Sequence, residues 1–507
     1  ALYICDWTFG TMYAIHMKPE GASYRAEKEE FVARTPLPLT DVAIGPDGAM
    51  YFTIGGRGTQ SELFRVTYRG TDPVAPVDGR DQDFADMRAM RRSIEELHAP
   101  AADAPTAVKF LWPLLGHADR HIRYAARVGL EHQDIAAWGD KISSETNPSI
   151  VIAAAVAMAR QGKENHKPKV VAALKRIDFA KLDESAQLDY LRAWSLVFIR
   201  LGALEQEDAA SLAKSLDAHF PSKSKWVSRE LCNVLVYLQS PTLASKAIAL
   251  LRQPDVTGGD QQAELLARNP GYGQAIRQMF ANQPDAQKLH YVFALRNLRA
   301  GWTVEDRKTY FAWFNEARKK SGGASYQGFL RNIDRDAYDN ATEAERLAVE
   351  VSGAREPYKA PQLPMPQGPG KDWSLEALMQ LASSPLKGRN FDNGKKMFAA
   401  ARCVICHRFD GDGGATGPDL TQLAGRFNYK DLCEAIVDPS KVVSDQYRAS
   451  VVVLNDGKVH TGRIVGDSPA AIKMLVDPED PTKVIEIPKG AIEENRVSTV
   501  SVMPKDL

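Results

Sequence analysis

Cysteine is scarce in this sequence, since its 507 residues include only five. So few cysteines exclude the disulfide-dense framework of small secreted domains. Long apolar runs are also missing: the longest, residues 150–159, is too short to span a bilayer. There is no excess of either charge, because 64 basic residues balance 64 acidic ones. This balance argues against a nucleic acid or an anionic membrane as the partner. What remains is the composition of a globular protein long enough for about three domains.

Two of the cysteines form a motif with a histidine, Cys403-Val404-Ile405-Cys406-His407. The spacing C-x-x-C-H is that of covalent c-type haem attachment. Each thiol can add across one haem vinyl group, and the adjoining histidine is then held against one face of the iron as an axial ligand. We therefore predict one covalent haem c, bound by Cys403, Cys406 and His407.

A zinc knuckle and a redox dithiol are the two other interpretations of this motif. Zinc would need a second ligand pair at short range, and only Cys433 and His460 lie near, without the spacing of a zinc motif. A thioredoxin-like dithiol would need a βαβ context, which this segment lacks. Haem attachment is therefore the stronger hypothesis. The other three cysteines, Cys5, Cys232 and Cys433, are predicted to be buried single thiols.

Two Pro-containing pairs supply further candidate contacts for the haem. A Gly-Pro pair ends at Pro418, and its carbonyl could accept a hydrogen bond from the second ring nitrogen of His407, which would orient the ring and raise its basicity. A Met-Pro pair near the end of the chain makes Met503 the predicted distal ligand. Its rivals are Met474, which we expect to pack in a strand, and Met397, in the helix before the motif. Any of the three could also be simple core filling.

The first seventy residues have the pattern of β-hairpins, with Asp47-Gly48 as a turn signal. Two such units in so short a segment suggest blades of a β-propeller that could not close alone. We predict terminal, incomplete propeller blades for residues 1–70, followed by a linker at 71–83. The predicted strands are residues 2–7, 11–17, 39–44, 49–54 and 63–68.

Residues 84–351 change to an Ala-, Leu-, Arg- and Glu-rich composition with helical periodicity. This predicts an all-α domain, arranged as stacked hairpins in a HEAT-like solenoid. His117, His121 and His132 lack a clearly placed carboxylate or further imidazole to complete a metal site, so we expect solvated or hydrogen-bonded helix histidines. One aromatic group is predicted to be solenoid core: Tyr291, Phe293, Trp302, Tyr310, Phe311, Trp313 and Phe314.

A Pro-rich linker at 352–372 precedes the haem motif, and residues 373–507 form the predicted cytochrome c domain. Helices are expected at 373–381, 394–402 and 429–437. Between about 447 and 499 the pattern switches to short alternating runs with turn signals, which predicts four or five strands of an inserted small β-barrel.

Several stretches carry a family resemblance, among them "LPLTDVAIGPDGAMYFTIGGRGTQSELFRVTY", "WPLLGHADRHIRYAARVGLEHQ" and "CVICH…GATGPDL…AIVDPSKVVSDQY". The chain resembles a family of large multidomain proteins of planctomycetes and verrucomicrobia. In that family a dehydrogenase-like propeller is followed by HEAT-like helices and a C-terminal haem-binding domain. The resemblance implies electron transfer from an oxidation at the propeller, with pyrroloquinoline quinone (PQQ) as its possible cofactor, to a c-type haem. Because most of the propeller is missing, we expect the sequence to be part of a longer protein.

The leading hypothesis is a c-type cytochrome that passes electrons from its haem to a redox partner protein. A second hypothesis is a PQQ-dependent sugar or alcohol dehydrogenase with the cytochrome as its internal acceptor. A third is an interaction scaffold that binds a protein partner along the helices of residues 84–351. No catalytic residue can be named from the sequence. Because haem c is attached outside the bacterial cytoplasm, we expect a periplasmic or other extracytoplasmic location.

Overall fold

The structure is a computed structural model of the chain. It describes residues 2–7, 10–34, 36–56, 59–73, 75, 79–255, 283–320, 326–355, 362–368, 370–383, 388–409, 412–414, 416–421, 423–480 and 483–505. Parts of the two predicted linkers and residues 256–282 of the predicted helical domain lie outside these ranges.

The N-terminal part, here called the β-module (residues 2–73), consists of two three-stranded antiparallel sheets. The strand order is β1-β2-β3 in the first and β4-β5-β6 in the second. The strands are β1 Leu2–Asp6, β2 Thr11–Glu20, β3 Ser23–Ala33, β4 Leu39–Ile44, β5 Met50–Gly56 and β6 Thr59–Val66. The five strands predicted here are confirmed as elements, and their assignment to propeller blades stays a prediction.

Strand β3 was not predicted, because its residues lack an apolar alternation. Five of its eleven side chains are charged, and most of its residues are exposed. It pairs with β2 along almost its whole length, and its charged side chains find cross-strand partners, as in the ion pair Lys18–Glu27 (2.6 Å) and the hydrogen bond between His16 and Glu29 (2.7 Å). The partner strand therefore determines this element more than its own sequence does.

Residues 84–351 are helical wherever the structure describes regular elements. The all-α prediction is confirmed for these residues, while the HEAT-like arrangement stays a prediction. Polar N-caps such as Asp103, Asp183 and Thr303 accept backbone N–H groups and begin several helices. The α-helices are Ala85–Glu95, Ala104–Leu114, Arg120–Glu131, Lys141–Ser144, Pro148–Gln161, Lys167–Lys175, Glu184–Leu201, Gln206–Asp217, Lys225–Tyr237, Leu243–Leu251, Ala286–Leu295, Val304–Ala317, Tyr326–Asp339 and Glu343–Val351.

One continuous apolar core runs through this helical domain. The aromatic group predicted as core belongs to it: Tyr310, Phe311 and Phe314 are fully buried, and the other four are buried or packed against the cluster. Among the three histidines considered for a metal site, His117 takes a structural contact, since its Nδ1 accepts the amide N–H of Asp119 over 3.0 Å. Cys232 is buried here, and Cys433 is buried in the C-terminal domain. The prediction was wrong for Cys5, which is only half-buried because β1 lies at the edge of its sheet.

The β-module packs against the helical domain at the hairpin between β2 and β3. The amide of Ala22 donates to Asp119 Oδ2 over 2.9 Å, and Arg91 Nη1 donates to the carbonyl oxygen of Ala22 over 3.3 Å. Ala22 also belongs to the apolar core of the helical domain. This hairpin is therefore an attachment point between the two parts.

The C-terminal part combines short helices with a five-stranded antiparallel sheet of order β12-β11-β10-β9-β13. The sheet has a small core of its own around Val452, Ile472, Met474 and Ile487. Among the described residues no strand pairing joins β12 to β13, so closure into a barrel stays a prediction. The elements are helices Leu375–Ser383, Phe391–Ala400, Cys403–Cys406 and Tyr429–Val437, and strands β7 Arg408–Phe409, β8 Asp412–Gly413, β9 Ser450–Leu454, β10 Val459–Asp467, β11 Ala471–Leu475, β12 Val484–Pro488 and β13 Ile492–Val497.

None of the helices in the described part of the chain is long and apolar enough to cross a membrane.

Candidate haem site

The C-x-x-C-H motif forms a single helical turn, Cys403–Cys406, directly after the helix Phe391–Ala400. The two helices are separated because Arg402 adopts a left-handed conformation (φ 62°). The turn is closed by the amide of His407, which donates to the carbonyl oxygen of Cys403 over 2.8 Å. Both thiols are half-buried, and this burial raises the pKa of each, so they are neutral thiols at neutral pH.

The ring of His407 is oriented by the loop that follows the motif. Its Nδ1 lies 2.9 Å from the carbonyl oxygen of Pro418. A carbonyl can only accept, so Nδ1 carries the proton and the lone pair resides on Nε2. That is the tautomer that a metal-ligating histidine needs, with its other ring nitrogen fixed by a backbone carbonyl. The hydrogen bond expected from the Gly-Pro pair is present.

Glycines allow this loop to lie directly against the motif. A Cβ on Gly417 would lie 2.9 Å from Cε1 and 3.0 Å from Nδ1 of His407, closer than ordinary packing allows. A Cβ on Gly414 would overlap the carbonyl oxygen of Ile405. These glycines were not predicted as site residues, although their clustering just after the motif was a usable signal.

Asp419 anchors the same loop next to Pro418. Its carboxylate accepts hydrogen bonds from Arg408 Nε (3.0 Å) and from both the amide and the hydroxyl of Thr421 (2.8 and 2.6 Å). Partial burial opposes ionisation, but the contacts with Thr421 and Arg408 outweigh it and hold the pKa of Asp419 below its usual value. The carboxylate therefore stays charged and keeps the loop in place at neutral pH.

The five-stranded sheet reaches the motif through residues 477–480, which are here called the insertion loop after the predicted insertion. The carbonyl oxygen of Pro478 accepts from Thr416 Oγ1 over 2.6 Å and lies 3.4 Å from Cys406 Sγ. Glu479 forms a two-pronged ion pair with Arg402, at 2.6 and 3.2 Å. Because of these contacts, the insertion loop limits solvent access to the Cys406 side of the motif.

The three candidate methionines have different environments. Met474 is completely buried in the core of the five-stranded sheet, in agreement with the expected packing in a strand, and Met397 is 54% exposed on the helix before the motif. Met503 is half-buried, and its amide donates to Ser501 Oγ over 3.1 Å. The amide of Ser501 in turn donates to Ser440 Oγ over 3.1 Å, which ties the segment to the turn after helix Tyr429–Val437. The role of Met503 as distal ligand stays a prediction.

The helices around the motif bury little apolar surface of their own. None of the clusters of buried apolar residues lies in the described part of 373–448. Large apolar side chains there are instead well exposed: Trp373, Leu381, Phe391, Met397, Phe409, Ile436 and Val442. A domain of this size needs a core. A large apolar prosthetic group such as haem fits this site. It would bind to the two thiols and to the histidine, whose lone pair is on Nε2, and it would cover the exposed apolar side chains.

Comparison with known protein families agrees with this geometry. Residues 391–448 match the cytochrome c family. The cytochrome c domain thus includes Cys403, Cys406, His407 and Pro418, while Met503 lies outside the matched residues. The match supports a covalently bound haem c and a role in electron transfer. A search of curated proteins found no match to the chain. The propeller, the HEAT-like solenoid and PQQ remain predictions from the sequence.

Proposed function

We propose that this chain is a c-type cytochrome that carries one haem, bound covalently through Cys403 and Cys406, with His407 and Met503 as axial ligands. The observation that carries the proposal is the hydrogen bond from His407 Nδ1 to the Pro418 carbonyl within a C-x-x-C-H turn. It leaves Nε2 of the imidazole available as the iron ligand. When bound, the haem would supply a one-electron couple.

The residues of the chain have separate tasks in this proposal. Cys403 and Cys406 lie one helical turn apart and would attach the group at two points. The Pro418 carbonyl would keep His407 in one orientation and raise its basicity. The exposed apolar side chains of the domain would become its core, and the insertion loop would restrict water on the Cys406 side.

In this proposal the electrons come from an oxidation carried out at a propeller domain and leave to a redox partner protein. The family resemblance supports that direction, and the β-module is the part of this chain that would belong to the donor side. A periplasmic or other extracytoplasmic location follows from the same proposal, because haem c is attached there.

An absorption spectrum of the oxidised and reduced protein, produced in a host that attaches haem c, tests the proposal. We expect a low-spin c-type spectrum and haem that stays with the polypeptide after denaturation. The double variant Cys403→Ala with Cys406→Ala removes both thioether bonds and should release the haem on denaturation, whereas Cys433→Ala removes a buried thiol of the same domain and should release none. Haem that is fully extractable from the unmodified chain would refute covalent attachment.

The distal ligand has its own test. Met503→Ala should abolish the sulfur-to-iron charge-transfer band of the oxidised protein, because no thioether would then face the iron. Met397→Ala is the matched control, since it removes an exposed methionine of the same domain. If the band survives in Met503→Ala, another residue is the ligand.

A further inference from the structure

The β-module meets the cytochrome c domain beside the loop that orients His407. The amide N–H of Leu37 donates to the carbonyl oxygen of Gly425 over 3.0 Å. The guanidinium carbon of Arg426 lies 5.7 Å from the ring centre of Trp7, which is within the range of a cation–π contact. These residues, together with Gly10, are here called the docking contact.

The β-module presents this contact in a defined geometry. Indole Nε1 of Trp7 donates to the carbonyl oxygen of Gly55 over 2.8 Å, so the second sheet fixes the ring. Gly10 is buried and has a φ of 68°, and a Cβ there would lie only 3.0 Å from the carbonyl oxygen of Gly425. The close approach therefore depends on a residue without a side chain.

Arg426 links this contact to the histidine loop. While its guanidinium faces Trp7, its Nη2 donates to the carbonyl oxygen of Asp419. Asp419 directly follows Pro418, whose carbonyl accepts the Nδ1 proton of His407. A displacement of the Arg426 guanidinium would thus move the backbone one residue from the acceptor that orients the imidazole.

We propose that docking of the β-module helps to set the orientation of His407, with Arg426 as the positioning residue between Trp7 and the Pro418 carbonyl. The inference rests on the proposed function only in treating His407 as the iron ligand, since the contacts themselves need no haem. A firm Nδ1–H···O bond increases the electron donation of the imidazole and stabilises the oxidised iron. Loosening of the docking contact therefore raises the midpoint potential of the haem. In this way a structural change in the β-module alters the redox centre.

The experiment compares Trp7→Ala, Trp7→Phe and Trp373→Ala in the full chain. Trp7→Phe keeps an aromatic face for Arg426, although it loses the indole N–H and has a smaller ring. Trp373→Ala is the matched control, because Trp373 also has a cation over its ring, Lys371 at 4.2 Å, but lies outside the docking contact. Nuclear magnetic resonance measures the solvent exchange rate of the His407 Nδ1 proton and of the Leu420 amide, which donates to the Arg408 carbonyl.

We expect both protons to exchange about fivefold faster in Trp7→Ala, the effect of losing one cation–π contact. Trp7→Phe should restore most of the protection, and Trp373→Ala should leave both rates unchanged. Unchanged rates in Trp7→Ala, or equal acceleration in Trp373→Ala, would overturn the inference. Haem-loaded protein gives an independent reading, since the midpoint potential should rise in Trp7→Ala alone. Failure of haem attachment would refute the proposed function. The proton-exchange rates would still test whether the docking contact affects the orientation of His407.

Discussion

Gly417→Ala tests whether close packing of the loop on His407 holds the haem site together. The added methyl carbon would lie 2.9 Å from Cε1 of His407, 3.0 Å from Nδ1 and 3.1 Å from the carbonyl oxygen of Cys406. Two of these atoms belong to the His407 ring, which is held by a hydrogen bond, and the third belongs to the backbone. None of the three atoms can therefore move freely. Overpacking of this kind costs about 1–3 kcal/mol. Loss of the Nδ1–H···O bond adds about 0.5–1.5 kcal/mol.

We therefore expect Gly417→Ala to destabilise this site by about 2–4 kcal/mol. The assay is hydrogen exchange of the His407 amide, which donates to Cys403, and of the residue 417 amide, which donates to Cys406. Their exchange should accelerate by about thirtyfold to a thousandfold, the same free energy expressed as a rate ratio.

Gly394→Ala is the matched control for this substitution. Gly394 lies inside the helix Phe391–Ala400, and a Cβ there would meet no atom within 4 Å. Alanine should stabilise that helix by about 0.5–1 kcal/mol. If Gly417→Ala left the exchange rates of both site amides unchanged, or if Gly394→Ala accelerated them equally, the packing argument would be wrong.

Two further predictions concern the helical domain. Burial raises the pKa of the Cys232 thiol from 9.0 to about 12, so the unfolded chain ionises first and stability falls as the pH rises between these values. Cys232→Ala should therefore reduce the loss of unfolding free energy above pH 9 by about 1.4 kcal/mol per pH unit, measured by denaturant titration. Glu345→Gln should cost about 3–5 kcal/mol, because it leaves the fully buried Arg307, 3.4 Å away, without its counter-charge. Glu343→Gln, on the exposed side of the same turn, should change stability little, and equal losses would contradict this explanation.

Local patterns in the sequence were sufficient where an element depends on its own residues. Helix Tyr429–Val437 was predicted with its observed bounds, because apolar spacing and the following Asp-Pro pair define it locally. The helix expected at 394–402 instead spans Phe391–Ala400, since the Asn390 cap begins it earlier and the left-handed Arg402 follows its end. Strand β3 was missed because pairing with β2, rather than its own pattern, makes it a strand.

For the candidate site, the sequence determined the chemistry and the tertiary structure decided its surroundings. The C-x-x-C-H spacing and the Gly-Pro pair specify two thiols, an imidazole and a carbonyl through short-range geometry, so they could be recognised without the fold. The contact of Pro478 with Cys406 and that of Trp7 with Arg426 join residues far apart in the chain. No local spacing encodes such contacts, because they depend on how whole elements pack. The sequence therefore supplied the residues of the candidate site, and only the folded chain showed which distant segments lie against them.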